Sequence, residues 1–511
     1  MCREIGAPLE SPTLNPRAAA AASTIAGATC ALAFAPYDVP VLAPVALAAL
    51  FHLWGKATPR EAFRHGYLFG IGLFGVGVNW LHISINLFGG LGLLSASGVT
   101  FLLIAYLALF PALAGYGARK LATSNPARDQ LLIWPALWVL SEWLRTWLFT
   151  GFPWLHLGYS QTDSLFGGLA PILGVFGISW AVALTAGAGL LLLRAAVRER
   201  IIAATCLLLL FTSGWLAGRV SWTLDSGTRR SIALVQGAVP LEVKWRAEFL
   251  DQSVERYISL TATHWGSNII VWPETAIPAF ASQVPDLLRQ LTAEALRGGG
   301  DMYAGFPSVD TGNGQYFNSL LLLGANPQIY QKRHLVPFGE FTPVAIIFRK
   351  FAKLLNIPMS NFSPGHQQQP LLRGQHGIAG VSICYEDAFG EEIIQALPEA
   401  ELLINVSNDG WFGDSAAPHQ HLQMARMRAR ETGRYLLRAT NSGISAIIDP
   451  EGRVRAQAPQ FLPFVLTGNI TLFSGLTPYA RFGNWPVMLL AICLILPGLL
   501  ARRLIRISYP R

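Results

Sequence analysis

Apolar residues gather into long runs at the two ends of this chain and into short runs between them. Seven long runs fall in the first 218 residues, at about 18–35, 39–55, 66–87, 91–115, 131–149, 169–193 and 201–218, and an eighth lies at about 485–501. A hydrocarbon core about 30 Å thick takes about 20 helical residues, with a range of roughly 17–25. Each run falls near that length, so eight transmembrane helices are expected. The first run is followed almost at once by the second, with no clear cleavage site between them, and reads as a retained helix rather than a signal peptide. From 219 to 484 the apolar segments are short and separated by polar stretches. Strands are expected over 232–236, 268–272, 302–306, 319–323, 329–331, 378–383, 402–406, 435–439 and 444–448, and helices over 241–265, 282–297, 391–397 and 419–432. That alternation predicts an α/β layered domain. The expected organisation is a seven-helix region over 1–218, a water-facing domain over 219–484, and an eighth helix with a basic tail over 485–511.

Charge adds an orientation. Arg3 and Arg17 precede the first run, and Lys56, Arg60 and Arg64 follow the second. Arg119, Lys120 and Arg128 follow the fourth, Arg194, Arg198 and Arg200 follow the sixth, and Arg502, Arg503, Arg506 and Arg511 end the chain. The intervening loops 36–38, 88–90 and 150–168 hold no Lys or Arg. Short loops rich in Lys and Arg stay cytoplasmic, which puts both termini inside and the 219–484 domain outside. Hydrophobic residues make up 52% of the chain and charged residues 13%, against about 25% charged in soluble domains. The net charge of +8 is therefore mostly topology, and nucleic acid is not an expected partner. Of five cysteines, Cys30, Cys206 and Cys493 lie in apolar runs and Cys2 in the N-terminal tail. Cys384 stands alone in the outer domain, without a disulfide partner there.

Several expected strands end in polar residues: Glu274, Lys332, Cys384 to Asp387, and Ser407 to Asp409. Sites in α/β sheets gather beyond the carboxyl ends of strands, so these groups can converge. Only a thiolate attacks well. Glu274, entering an apolar pocket, suits a general base. Lys332 can stabilise the thiolate and then an oxyanion, with the Tyr385 N–H as a second donor, and Glu340 can hold Lys332 in place. Each residue alone has a plainer reading, as core cysteine, helix cap or loop charge. Their joint placement after separate strands favours catalysis.

Trp272-Pro273-Glu274, the segment Lys332-Arg333-His334-Leu335-Val336-Pro337-Phe338-Gly339-Glu340, and Ile383-Cys384-Tyr385-Glu386 resemble the three motifs of the nitrilase superfamily. Its fold is an α-β-β-α sandwich with a Glu-Lys-Cys triad. Such a domain between seven preceding spans and one following span is similar to the bacterial apolipoprotein N-acyltransferase family. Glu142-Trp143-Leu144-Arg145, Thr150-Gly151-Phe152-Pro153-Trp154, Asn408-Asp409-Gly410-Trp411-Phe412-Gly413 and the segment from Leu476 to Gly483 match that family too. The resemblance implies a multi-pass enzyme of the bacterial inner membrane, with its catalytic domain on the periplasmic side. It implies acyl transfer from the sn-1 position of a phospholipid, through a thioester on Cys384, to the α-amino group of the diacylglyceryl-modified N-terminal cysteine of a lipoprotein. Glu274, Lys332 and Cys384 are then catalytic, with Glu340, Tyr385 and Glu386 supporting and Trp245 a further functional position. No metal or organic cofactor is implied, and a monomer is expected.

The stretch 345–362 mixes Phe348 and Phe351 with Arg349, Lys350 and Lys353, a pattern suited to an acyl–headgroup boundary. Trp411 and Phe412, in a glycine-bounded loop, are further lipid-contact candidates. Arg145 lies with Glu142 inside the fifth run, where charge is expensive; a structural pair is favoured over headgroup recognition. Gly70-Ile71-Gly72-Leu73-Phe74-Gly75 matches a dinucleotide motif but lies within an apolar run, where close helix packing is expected. His419 and His421 lack a third metal ligand at convincing spacing and are rivals to Glu274 as base. A membrane-tethered amidase or phospholipid acyl hydrolase is the competing enzyme class. A transporter would need ionisable residues at several midplane positions, which are scarce here.

Overall fold

The computed structural model describes residues 15–341 and 362–508, with backbone alone for 497–508. Helices Pro16–Ala31, Leu42–Lys56, Pro59–Gly77, Leu93–Lys120, Trp134–Trp147, Ala170–Arg194, Val197–Ala217 and Trp485–Ser508 stand where the eight apolar runs lie. Among the described residues, Leu93–Lys120, Leu165–Arg194 and Val197–Ala217 are long and apolar enough to cross a membrane. A fourth crossing results if Pro59–Gly77 and Leu81–Leu87 form one span across a 57° bend. Pro16–Ala31 and Leu42–Lys56 are shorter, at 16 and 15 residues, and Trp134–Trp147 holds Glu142 and Arg145 within its 14 residues.

The third run, expected as one helix, is thus broken after Gly77. Trp80 folds back there, and its Nε1 donates to the Gly77 carbonyl at 3.0 Å. The glycine motif in this run packs helices: a Cβ on Gly70 would lie 2.6 Å from Ala108 Cα, and one on Gly72 would lie 2.0 Å from the Thr24 carbonyl oxygen. Small residues let backbones approach this closely where lipid supplies no hydrophobic drive.

Among the described residues the α/β domain has twelve strands. The first sheet contains β1 (Leu224–Gln236), β2 (Ile269–Val271), β3 (Asp301–Val309), β4 (Tyr316–Leu323), β5 (Gln328–Gln331) and β12 (Phe464–Ser474), in the order β12-β1-β2-β3-β4-β5. The second contains β6 (Leu372–Arg373), β7 (Ile378–Ile383), β8 (Leu402–Ser407), β9 (Leu436–Thr440), β10 (Ala446–Ile448) and β11 (Val454–Gln457), in the order β11-β10-β9-β8-β7-β6. In each sheet three central strands run parallel, β1-β2-β3 and β7-β8-β9, with antiparallel strands outside them.

The period-two alternation of side chains gives each sheet two apolar faces. Ile232, Leu234, Ile269 and Val271 meet Leu402, Ile404, Val406 and Leu437 in a core between the sheets. The alternate residues Ala233, Val235, Ile270 and Trp272 face outward onto Val254 and Tyr257 of helix Leu250–Thr261 and Leu291 and Ala295 of helix Pro285–Gly298. On the other side Leu403, Leu436 and Ile448 pack on Leu422, Ala425 and Ala429 of helix Ala416–Thr432. The layers run α-β-β-α.

Helix Ala416–Thr432 is also covered from outside, because Ala417, Met424 and Met427 belong to the core of the helical region. Gln420 joins the two parts: its Oε1 accepts from Trp154 Nε1 at 2.7 Å and Trp80 Nε1 at 3.1 Å, and its Nε2 donates to the Gly77 carbonyl at 3.0 Å. The loop ends of the helical region therefore form a floor for the α/β domain. Among elements not expected from the sequence, β12 pairs with β1 over its length. The helix expected over 241–265 is interrupted at Trp245, leaving Leu241–Lys244 and Leu250–Thr261.

Candidate active site

Three strand ends deliver the three principal side chains. β2 ends at Val271, and the buried Trp272 anchors the loop beyond it, its Nε1 donating to Thr261 Oγ1 at 2.9 Å. Glu274 comes next, ahead of Thr275 at φ 47°. The loop presses against β3 so closely that a Cβ on Gly305 would lie 2.3 Å from the Pro273 carbonyl oxygen and 2.9 Å from Glu274 Cα. Lys332 follows β5, its N–H donating to the Asn318 carbonyl at 2.8 Å. Cys384 follows β7 at φ 53°, a backbone conformation that costs a non-glycine residue about 1–3 kcal/mol and persists only when its surroundings impose it. The chain then turns through Cys384–Ala388.

Lys332 is fully buried, and its Nζ lies 2.9 Å from Glu340 and 3.8 Å from Glu274 Oε1. Asn318 Nδ2 bridges the same carboxylates, donating to Glu274 at 2.6 Å and to Glu340 at 3.2 Å. Glu340 is held in turn by the Val336 N–H at 2.8 Å. Burial opposes the charge on Lys332, but Glu340 and Glu274 outweigh it and hold its pKa above the ordinary lysine value. Burial raises the Glu274 carboxyl; Lys332 opposes that and Glu340 reinforces it, with a net upward shift. Burial pushes the half-buried Cys384 thiol up, Glu274 pushes it further, and Lys332 acts the other way. Burial and Glu274 thus favour the thiol form of the sulfur, and Lys332 is the opposing charge.

Glu386 ties the lysine loop to the cysteine turn. Its carboxylate accepts from the N–H groups of Ile383 (2.7 Å), Arg333 (2.6 Å) and His334 (3.1 Å), and from the Tyr330 hydroxyl at 3.0 Å. Tyr385 is buried, and its hydroxyl donates to the Gly151 carbonyl at 3.0 Å, which ties the turn to the helical region. Lys244 Nζ donates to the Glu274 carbonyl at 3.0 Å, and burial lowers its pKa to about 8.

Sequence reasoning misses Asn318 and Arg438 as members of this region, whereas Asp387 and Asp409, expected among the strand-end polar groups, do meet here around Arg438. Arg438 is visible as a lone charge in the apolar strand Leu436–Thr440, a position that demands a buried partner. His421, the rival base, has its ring nitrogens 2.9 Å from Asp409 Oδ1 and 2.8 Å from Asp387 Oδ1. Among the described residues no group of three or more His, Cys, Asp and Glu side chains is placed to hold a metal ion.

The lipid-contact candidates fall in different places. Phe348 and Phe351 lie outside the described residues, as does the stretch 345–362 apart from Phe362. Trp411 and Phe412 are half-buried and pack on the helical region, Trp411 against Phe88 (ring centroids 4.9 Å apart) and Phe412 against Trp80 (4.7 Å). Trp245 is half-buried beside Lys244. Arg145 is buried; it donates to the carbonyls of Phe152, at 3.0 Å, and Trp154. Glu142 accepts from Trp138 Nε1 and from the Leu157 N–H, each at 2.9 Å. The two residues brace the 150–158 loop and attract each other electrostatically without a direct hydrogen bond between them.

Comparison with known proteins agrees with this architecture. Residues 26–188 match the family model described as apolipoprotein N-acyltransferase N-terminal domain, and residues 231–474 match that described as carbon-nitrogen hydrolase. The chain is 47% identical over 460 residues to the apolipoprotein N-acyltransferase of Methylococcus capsulatus, covering 89% of this chain and 91% of that protein. It is 40% identical to the enzyme of the same name from Photobacterium profundum, covering 94% of each, and 43% identical to that of Nitrosomonas europaea, covering 92% and 94%.

Proposed function

Because the chain belongs to the apolipoprotein N-acyltransferase family, we propose that it acylates the α-amino group of the N-terminal S-diacylglyceryl cysteine of lipoproteins, using a phospholipid as donor and Cys384 as carrier. In the first half-reaction Glu274 takes the thiol proton and the sulfur attacks the sn-1 ester carbonyl. Lys332 and the Tyr385 N–H receive the oxyanion. The tetrahedral intermediate collapses, the C–O bond breaks, Glu274 returns its proton to the leaving oxygen, and lysophospholipid departs. In the second half Glu274 deprotonates the incoming amine, whose nitrogen attacks the thioester; the C–S bond breaks and the thiol reforms. An amide is more stable than a thioester, so this step runs downhill. The scheme follows covalent two-step logic.

One observation carries the reading: Glu274 and Lys332 lie 3.8 Å apart and both act electrostatically on Cys384, although the three come from separate strand ends. Glu340, Asn318 and Glu386 hold them there. We further assign the eight helical segments to spans of the bacterial inner membrane, with both termini cytoplasmic and the α/β domain on the periplasmic side. The contact of Trp411 and Phe412 with the helical region supports a site whose loops lie at the level where a lipid ester would be met. Purified enzyme given phospholipid and a diacylated lipopeptide is expected to yield a triacylated peptide and lysophospholipid. Release of free fatty acid with an unmodified peptide would assign it to hydrolases instead.

A further inference from the structure

Beneath the cysteine turn lies a charged layer that the proposed transfer steps do not use. β7, β8 and β9 run parallel, and their register sets Ser382, Asn405 and Arg438 in one row across the sheet. Leu437 and Ala439, on either side of Arg438, belong to the core between the sheets, so the row faces helix Ala416–Thr432. The Arg438 guanidinium reaches Asp387 Oδ2 at 3.0 Å and Asp409 Oδ2 at 2.9 Å. His421, on the helix above, takes the other oxygen of each carboxylate. Each ring nitrogen faces a carboxylate oxygen, so both donate and the ring is an imidazolium. Two carboxylates and two cations then balance, which satisfies the condition for burying charge. Burial and Arg438 press the His421 pKa down, but Asp387 and Asp409 carry it up to about 9.

The layer reaches the reaction through one atom. The Cys384 carbonyl oxygen lies 3.2 Å from His421 Nε2 and 3.4 Å from Asn405 Nδ2. That carbonyl and the Tyr385 N–H belong to one planar trans peptide, so they point in opposite directions and fixing one fixes the other. Cys384 itself, at φ 53°, needs its surroundings to hold it. We infer that His421 and Asn405, held by Asp387, Asp409 and Arg438, are positioning residues that anchor the Cys384 carbonyl and thereby aim the Tyr385 N–H at the oxyanion. The inference rests on the proposed thioester mechanism and supplies the source of rigidity for one of its oxyanion donors.

The test separates oxyanion stabilisation from thiol reactivity. Iodoacetamide alkylates a thiolate by displacement at a saturated carbon and forms no oxyanion; acylation by phospholipid does. In the full-length enzyme in detergent, His421→Gln is expected to slow acyl-enzyme formation by about 10- to 100-fold, somewhat less than removal of an oxyanion donor. Apparent phospholipid affinity and the alkylation rate should stay within about twofold of wild type, because neither senses the transition-state oxyanion. Equal losses in acylation and alkylation, or no loss in either, would overturn the inference. If His421→Gln does not fold, Asn405→Asp removes the other donor to the carbonyl while keeping an acceptor for Arg438, and the same two rates decide. Wild-type enzyme is the control for the underlying mechanism. Absence of an acyl adduct on wild-type Cys384 refutes the mechanism itself, whereas a normal adduct with an unaffected variant refutes only the positioning role.

Discussion

Replacing Glu274 by Gln removes the base while leaving most of its contacts. The amide oxygen can still accept from Asn318, which donates to Glu274 at 2.6 Å. Lys332 loses a carboxylate at 3.8 Å, a gross attraction of about 4 kcal/mol at an effective dielectric of about 20, but keeps Glu340 at 2.9 Å. It therefore stays charged and in place, and stability should change by about 1 kcal/mol. Loss of a general base lowers the acylation rate by about 10²–10⁴, equivalent to about 3–5 kcal/mol of barrier. Glu274 raises the Cys384 pKa, so the variant's thiol should titrate lower than the wild type's. With no base, acylation must follow the thiolate fraction and rise about tenfold per pH unit below the thiol pKa. The deficit should shrink as pH rises, in rapid-quench assays of acyl-enzyme formation across about pH 6–9, while iodoacetamide alkylation titrates to a lower midpoint. A deficit of the same size at every pH, or no deficit, would refute the assignment of Glu274 as base.

Three further outcomes rest on the same geometry. Glu386→Ala strands the Ile383, Arg333 and His334 N–H groups and the Tyr330 hydroxyl; at about 1–3 kcal/mol per unmet donor, eased by entering water, chemical denaturation should show a loss of about 3–5 kcal/mol with acylation lost in parallel. Gly305→Ala forces a Cβ to within 2.3 Å of the Pro273 carbonyl, so it should cost about 1–3 kcal/mol by overpacking in chemical denaturation and slow acylation by shifting Glu274. Lys244 has a pKa of about 8 against the ordinary 10.5, so its buried ammonium costs stability below pH 8, and the wild type recovers that cost as pH climbs toward 10.5. The stability difference between wild type and Lys244→Met should therefore grow in favour of the wild type by about 3 kcal/mol across that window, and a difference flat with pH would contradict the burial of the charge.

Local patterning reveals the strand ends that carry the candidate site and little of what supports them. β7 is readable because Ile378–Ile383 is a mostly apolar run bounded by Gly377 and Cys384. β12 is not, because Gly468 and Asn469 interrupt it and much of its length is exposed at a sheet edge; its pairing with β1 decides it. Helix 241–265 follows its periodicity only after Trp245, where the chain turns to bring Lys244 under Glu274. Glu274, Lys332 and Cys384 each follow a readable strand. Asn318, inside β4, and Arg438, inside β9, act across neighbouring strands, so tertiary register alone gives them meaning. Glu142 and Arg145, deep in an apolar run, reach the backbone of the 150–158 loop, a contact that the helix pattern alone does not show.

The central claim is that Cys384 carries the acyl group. Intact-protein and peptide mass spectrometry of the enzyme after exposure to phospholipid alone tests it most directly. One added acyl chain on the peptide containing Cys384, discharged by a diacylated lipopeptide and absent from Cys384→Ala, is the expected result. An enzyme that consumes phospholipid with no adduct on that peptide, or with the adduct on another residue, would contradict the account.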